Sequence, residues 1–108
     1  MNWRIEYLSK PVQKEIESWP VDMQAKLYRI IELIHEFGLH RVREPYIMHL
    51  HGKLWEMWVK GRDGIARAIY VTAHAKRVVI VHAFKKKTQK TPKQEIRLAL
   101  ERIKEIKS

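Results

Sequence analysis

Three runs of β-branched and aromatic residues follow one another with only four residues between them, and this spacing constrains the fold more than any other feature. The runs are Leu54–Lys60, Ile65–Thr72 and Arg77–Phe84. The first link, 61–64 (GRDG), contains two glycines, and the second link, 73–76 (AHAK), is equally short. Links of this length allow hairpins and leave no room for a crossover helix. The sequence therefore predicts an antiparallel three-stranded meander.

Upstream of the meander, the sequence predicts one strand and two helices. Residues 3–8 (WRIEYL) alternate apolar and polar side chains, as a half-buried strand does. Ser9 can cap a first helix that Pro20 ends, and the apolar stripe of a second helix stops at Gly38. Because only a turn joins the two helices, we expect an antiparallel helical hairpin. Residues 39–53 show no sustained period and are expected to form a loop, with room for a short extended piece.

A last helix is predicted from about Pro92, where Thr91 can act as the cap and Gln94 can complete a capping box. The predicted order of elements is β-α-α-β-β-β-α. A chain of 108 residues supports one modest core. We therefore expect a single domain, residues 1–108, of the α+β class, with helices packed against one face of an antiparallel sheet.

Lysines crowd the connection between the last strand and the last helix: Lys85, Lys86, Lys87, Lys90 and Lys93. Over the whole chain, 22 Lys and Arg against 12 Asp and Glu give a net charge of +10. A compact domain with that excess repels itself, and clustered charge of one sign is typical of a surface that binds a polyanion. Nucleic acid is the leading partner. An acidic protein, an anionic membrane and a merely solubilising surface are the alternatives.

Several kinds of site and location are excluded. The chain has no cysteine, which excludes disulfides, thiol catalysis and zinc–thiolate sites. No apolar run approaches the ~20 residues of a membrane span, and residues 1–4 (MNWR) do not open a signal peptide, so a cytoplasmic protein without a membrane partner is expected. His49 and His51 form an H-x-H pair but have no third ligand in register, so no metal site is predicted.

Recognisable catalytic motifs are also missing. The sequence contains no glycine-rich phosphate loop, no G-x-S-x-G and no paired-carboxylate spacing. We therefore predict no small-molecule cofactor, and any catalysis must rest on Arg, Lys, His or Tyr. These residue types suit metal-independent RNA cleavage, because the 2′-OH of RNA is already an internal nucleophile. The protein then needs only to orient it, to move a proton and to stabilise the phosphorane.

One candidate residue is Arg67. Alternation along its strand places it on one face with Ile69 and Val71. Because an arginine is costly to bury, Arg67 should reach an open surface or a partner. The alternative is a structural ion pair with a glutamate such as Glu56.

A second candidate is His82, which precedes the lysines. Strict alternation would place it on one face with Val78, Ile80 and Phe84. Neighbouring cations should lower the proton affinity of His82 and suit it to act as an acid or base in phosphoryl chemistry. The alternative is a structural histidine that is held by hydrogen bonds.

Three blocks of the sequence together resemble the phage-derived, HigB-like branch of the RelE/ParE toxin superfamily. They are 50–56 (LHGKLWE), 64–70 (GIARAIY) and 81–96 (VHAFKKKTQKTPKQEI). The family pattern is roughly L-x-x-G-L-W-E-L-R, then R-x-x-Y, then H-x-F-x-K-K-T-x-K-T-P-x-x-E-I. The order of elements also matches along nearly the whole chain. The resemblance implies a small antiparallel sheet flanked by helices, and ribosome-dependent mRNA endonuclease activity that a cognate antitoxin holds off.

The resemblance also implies a site. Its catalytic positions are Arg67, His82, Lys85 and Trp58. Its RNA-binding residues are Lys53, Lys86, Lys87, Lys90 and Lys93. The implied partners are an acidic antitoxin that covers this basic face and a ribosome that carries mRNA.

Trp58 departs from the family pattern, which usually has arginine at this position. The other tryptophans, Trp3, Trp19 and Trp55, are most simply explained as core residues. A tryptophan at position 58 can stack on a base, but it cannot neutralise a phosphorane. The departure predicts an attenuated nuclease, and natural divergence at this position is the alternative.

Two other functions remain open. A gyrase-inhibiting toxin of the ParE kind would share the fold without RNA-cleaving residues, and Arg67, His82 and the lysines argue against it. A nucleic-acid-binding module with no chemistry is the third alternative.

Overall fold

The fold was analysed in a computed structural model, which describes residues 2–106. The elements, in chain order, are β1 (Arg4–Tyr7), α1 (Lys10–Glu17), α2 (Val21–Phe37), a 3₁₀ turn (Leu39–Arg41), β2 (Ile47–His51), β3 (Leu54–Gly61), β4 (Gly64–Ala73), β5 (Arg77–Lys86) and α3 (Lys93–Ile103). The α+β class, the three helices and the meander β3-β4-β5 are as predicted. Within residues 2–106, no helix is both long and apolar enough to cross a membrane.

The sheet has five strands in the order β1-β5-β4-β3-β2. The strand β2, which pairs antiparallel with β3, lies in the stretch that was expected to be mainly loop. The strand β1 pairs parallel with β5, so the sheet is mixed and the expectation of a purely antiparallel sheet is wrong. Alternation along a strand indicates that a strand forms, but it does not indicate which partner the strand takes.

Helices cover both faces of the sheet, so the expectation that they pack against one face is also wrong. The apolar side chains of α1 and α2, such as Val12 and Leu27, pack with Ala68 and Ile80 of the sheet. On the opposite face, Ala99 of α3 belongs to a second apolar cluster. The physical reason is that β4 and β5 are apolar on both sides, so each side needs a cover.

A bulge in β5 changes which residues share a face. Ile69 pairs with His82, whereas the next residue, Tyr70, pairs with Ile80, so Val81 is an extra residue in β5. Ile80 packs on the side of α1 and α2, whereas Phe84 packs against the cluster on the side of α3. Strict alternation along β5, which was expected to keep Val78, Ile80, His82 and Phe84 together, is therefore wrong.

Candidate functional site

Aromatic rings enclose the side chain of Arg67. In the sheet, Arg67 pairs with Trp58 of β3 and with Phe84 of β5. The guanidinium carbon lies 4.9 Å from the ring centroid of Trp58 and 5.6 Å from that of Phe84, within the range of cation–π attraction. Arg67 is 0% exposed. The expectation that it reaches an open surface is therefore wrong.

The polar contacts of Arg67 fasten the segment between β5 and α3. Its guanidinium donates to the backbone carbonyl of Thr88 and to the hydroxyl of Thr91, 3.4 Å away. The Thr91 hydroxyl in turn donates to Oε2 of Glu56 at 2.8 Å. Burial lowers the pKa of Arg67, and the negative charge of Glu56 opposes this shift. The link between Arg67 and Glu56 thus runs through the hydroxyl of Thr91.

Thr91 has a different role from the one its sequence position suggested. The N-cap of α3 is Pro92, and no side chain caps this helix. Thr91 is 5% exposed, and its hydroxyl is directed to the sheet. The expectation of a threonine cap is therefore wrong, and the residue that begins the helix motif serves the Arg67 contact instead.

His82 lies between two carboxylates and is 4% exposed. Its Nε2 lies 2.6 Å from Oε1 of Glu95 on α3, and its Nδ1 lies 3.3 Å from Oε1 of Glu15 on α1. Burial lowers the pKa of His82, but the hydrogen bonds and charges of Glu15 and Glu95 outweigh it, so that the pKa is raised. The expectation of a depressed proton affinity is wrong, because carboxylates lie closer to the ring than the lysines do. The geometry supports the structural alternative for this histidine.

Glu15 of α1 and Arg102 of α3 form an ion pair, with Nη2 of Arg102 2.8 Å from Oε2 of Glu15, at a part of the sheet edge that no strand covers. The short strand β1 pairs only with residues 77–80 of β5, so the backbone beyond them has no strand partner on that side. There the Ala83 N–H donates to Oε1 of Glu15 at 3.0 Å, and Arg102 donates to the Val81 carbonyl at 2.9 Å. Burial opposes ionisation of Glu15, but hydrogen bonds from His82, Arg102 and the Ala83 N–H lower its pKa to about 2. An ion pair thus completes the backbone hydrogen bonding of the edge.

The lysines near the end of β5 are all exposed. Lys86 lies 4.0 Å from a carboxylate oxygen of Glu95. Lys85 pairs with Ala66, a residue of the face that α1 and α2 cover. Lys85 and Arg67 therefore lie on opposite faces of the sheet. The predicted catalytic residues do not converge on one point, although Arg67, Trp58 and His82 share a face.

Lys53 lies apart from the other lysines. It occupies the turn between β2 and β3, whereas Lys86 pairs with Ile65 near the other end of the meander. The length of β3, which has eight residues, separates these ends by roughly 25 Å. The structure therefore does not bring Lys53 together with the lysines at the end of β5.

Sequence reasoning missed the residues that hold the two candidates in place. These are Thr91, Glu95, Glu15 and Arg102. Thr91 and Glu95 lie inside the family-like block 81–96, so a signal for them was present. Glu15 and Arg102 carry no such signal, because they are remote in the chain from His82.

An apolar groove of about 720 Å³ lies at the other end of the sheet, between the 3₁₀ turn and strands β2 to β4. Trp55 and Tyr70 line it, and Trp55 is 40% exposed, so the expectation that Trp55 is a core residue is wrong. The groove contains none of the predicted site residues. Within residues 2–106, no group of three metal-ligating side chains comes together.

Comparison with known proteins identifies a family and a fold. Residues 14–104 match the family described as "Phage derived protein Gp49-like". No curated protein matches the sequence significantly. The fold is similar to that of several solved structures, two of which illustrate it, and at their low identities the similarity concerns the fold alone.

The first is RelE from an archaeal RelE–RelB complex of Pyrococcus horikoshii, with 20% identity and a TM-score of 0.58, over 82% of this chain and 99% of that chain. The second is a double arginine-to-alanine mutant of the E. coli toxin RelE in the free state, with 16% identity and a TM-score of 0.64, over 95% of this chain and 99% of that chain. The RelE-like fold that the sequence implied is confirmed.

The pKa shifts of His82 and Glu15 predict how stability depends on pH. The pKa of His82 is higher in the folded protein than in the unfolded chain, and this difference contributes to stability. The contribution is fully present below pH 6.5, the ordinary pKa of a histidine, and it is lost as the pH rises through the pKa of the folded state. The lowered pKa of Glu15 stabilises the fold above pH 4.5, and this is lost as the pH falls toward about 2. The free energy of unfolding, measured with urea from pH 3 to 9, should therefore be highest between about pH 4.5 and 6.5.

His82→Gln should flatten the decline above pH 6.5, because the titrating group is gone. His74→Gln is the matched control, since His74 is exposed in the turn between β4 and β5, and it should leave the decline unchanged. Equal declines in both variants would contradict the assignment to His82.

Proposed function

Since the chain belongs to the Gp49-like family of phage-derived proteins, we propose that it is the toxin of a type II toxin–antitoxin system, which inhibits translation by cleaving mRNA on the ribosome. The observation that carries the proposal is the exposed lysine segment, residues 85–93, which Arg67 fastens to the sheet of a RelE-like fold. Such a segment offers a polyanion several cations on a fixed support.

Cleavage would need no metal. The 2′-OH of the RNA gives up its proton to solvent and attacks the adjacent phosphorus, the bond to the 5′ oxygen of the next nucleotide breaks, and the product carries a 2′,3′-cyclic phosphate. Lysine ammonium groups can stabilise the charge of the phosphorane and supply a proton to the leaving oxygen, and the lysine then regains a proton from solvent. Lys85 is the proposed catalytic lysine, and Lys86, Lys87, Lys90 and Lys93 would bind phosphates. The expected place of action is the cytoplasm, where translated mRNA is found.

A protein antitoxin is the proposed partner that inhibits this nuclease activity. The archaeal neighbour, whose RelE was solved bound to RelB, supports a partner of this kind. An acidic segment is the chemistry that suits a chain of net charge +10, because complementary charge steers association and would mask the lysines.

Arg67 has a positioning role in this proposal. Its guanidinium is already engaged by Trp58, Thr88 and Thr91, so it acts on RNA through the lysine segment that it holds. Arg67→Lys keeps the charge and loses the fork of donors and the flat stacking surface. Trypsin should then cleave within residues 85–90 several-fold faster, and the affinity for ribosomes should fall.

Two variants serve as controls for this prediction. Thr91→Val removes the Thr91 part of this link, leaves Arg67 and its bond to the Thr88 carbonyl in place, and should produce both effects at smaller size. Arg29→Lys changes an exposed arginine that pairs with Glu32 and should produce neither. If Arg67→Lys leaves both trypsin cleavage and ribosome affinity unchanged, Arg67 does not position the segment.

The lysine segment should set the salt dependence of binding. Changing Lys85, Lys86 and Lys87 together to Gln should weaken binding to ribosomes and flatten its salt dependence, because each lost phosphate contact lowers the slope by ~0.7–0.9. Lys10, Arg41 and Lys76 changed together to Gln remove the same charge from other exposed positions. The slope should fall only in the first variant, and equal slopes in both would reject the segment as the polyanion site.

Trp58 tests the nuclease function itself. Substrate docking should survive in this chain, whereas the contact that the family arginine would make in the transition state should be missing. Loss of one electrostatic donor of this kind typically lowers the catalytic rate by a factor of ~10²–10³. Trp58→Arg should therefore raise mRNA cleavage on programmed ribosomes, and growth arrest on induction, far more than it raises ribosome affinity. It should also lower stability, because the cation–π contact with Arg67, worth about 0.5–2 kcal/mol, is lost.

Trp58→Phe is the control, since it keeps a ring over Arg67 and adds no charge. If the original chain already cleaves as fast as Trp58→Arg, the arginine is dispensable at this position. If neither form cleaves mRNA while both arrest growth and damage DNA, the nuclease function is wrong and the gyrase-inhibiting alternative is favoured.

A further inference from the structure

The turn between β3 and β4 brings a second set of cations to the lysine segment. Lys60 near the end of β3 and Arg62 of this turn, together with Lys87 and Gln89 of the segment, line a cleft of about 450 Å³. Asp63 is the one carboxylate among the residues that line it. Lys60 and Arg62 belong to none of the three family-like blocks. The cleft is therefore a feature of the fold that those blocks do not indicate.

The turn is packed closely on both sides. Gly64 has a φ of +144°, and a Cβ at this position would lie 2.9 Å from the backbone oxygen of Lys86. A Cβ on Gly61 would lie 2.3 Å from the terminal methyl of Met23 on α2. At Gly64 the positive φ and the nearby backbone oxygen require glycine, whereas the neighbour of Gly61 is the end of a flexible methionine side chain, which can shift. The backbone of the turn therefore lies directly against the backbone of β5 at Gly64, and this close approach fixes the position of the turn.

A further cation, on α2, lies next to the end of β3 that lines the cleft. Lys26 on α2 donates from its ammonium group to the backbone carbonyl of Lys60 at 2.9 Å. Four cations therefore lie in a small region in which Asp63 supplies one negative charge. These cations are Lys26, Lys60, Arg62 and Lys87. Like charges held close together repel one another, and a bound anion relieves this repulsion.

We propose that this cleft binds neighbouring phosphate groups, and that it extends the path of an RNA strand from the lysine segment across the turn between β3 and β4. The choice of RNA rests on the function proposed above. The phosphate groups of a free nucleotide have the same chemistry, and the same cations of the cleft would bind them. Lys60 and Arg62 are the residues that this proposal adds to the site.

The test measures binding by the full chain without using cleavage. The probes are a fluorescein-labelled 12-nucleotide single-stranded RNA, followed by anisotropy from 0.05 to 0.5 M salt, and inorganic triphosphate, followed by calorimetry. Lys60→Gln combined with Arg62→Gln removes two phosphate contacts and should lower the salt slope for RNA by ~1.4. This corresponds to about 25-fold weaker binding at 0.1 M salt, taken from the same ~0.7 per contact.

Two further variants make the result specific. Arg41→Gln combined with Lys76→Gln removes equal charge at the opposite end of the sheet and should leave the slope unchanged. Asp63→Asn removes the one carboxylate and should tighten RNA binding several-fold. Thermal unfolding of every variant shows that the comparison is between folded proteins.

The outcomes separate the cleft from the nuclease. If the Lys60/Arg62 variant and the Arg41/Lys76 variant lose equal affinity for RNA, the cleft proposal is overturned, whether or not the chain cleaves mRNA. If the Lys60/Arg62 variant loses triphosphate binding and keeps RNA binding, the RNA path is overturned and the ligand is a free nucleotide. If it loses RNA binding while the chain cleaves no mRNA, the cleft stands and only the nuclease function fails.

Discussion

The candidate functional site depends on the contacts that the buried guanidinium of Arg67 makes. A charge removed from water is costly unless rings, carbonyls or an opposite charge replace its hydration. In this chain Trp58 and Phe84 supply the rings, Thr88 supplies a carbonyl, and Glu56 supplies the charge through Thr91. These contacts hold residues 87–92, the part of the lysine segment that lies between β5 and α3, outside any helix or strand. Its position therefore depends on side-chain contacts rather than on a backbone ladder.

A second constraint acts on the edge of β5. The strand β1 is too short to cover it, and the bulge at Val81 alters the alternation of the residues that follow. The Glu15–Arg102 pair takes up the free backbone groups and links α1 to α3 through His82. One charged network thus takes the place of a strand at this edge and ties α3 to the sheet. Because ionisable side chains bind the backbone groups of this edge, the stability of this end of the fold depends on pH. Backbone hydrogen bonds from a longer β1 would not depend on pH in this way.

Local patterns predicted the parts of the fold that local physics determines. The meander follows from short links, the helices follow from apolar periodicity, and the lysine cluster is visible in the sequence itself. The parallel pairing of β1 with β5, the helix on each face and the bulge depend on contacts between remote residues, which alternation does not encode. The candidate site shows the same division. Arg67 was found from its type and its strand, but its partner Thr91 was assigned to a helix cap, because a threonine before a proline has the local form of one.

At position 58, the stability of the free protein and the proposed binding of an anion favour different residues. Two guanidinium groups on neighbouring strands repel, so an arginine at position 58 beside Arg67 would be stabilised by an anion placed between them. Trp58 removes that need, because the face of its ring satisfies the Arg67 cation in the absence of any ligand. The enclosed arginine is fully buried in the free protein, so RNA cannot contact it directly. In the proposed function, anion binding therefore rests on the exposed lysines, whose segment Arg67 holds, and on the cations beside the turn that Gly64 brings against β5.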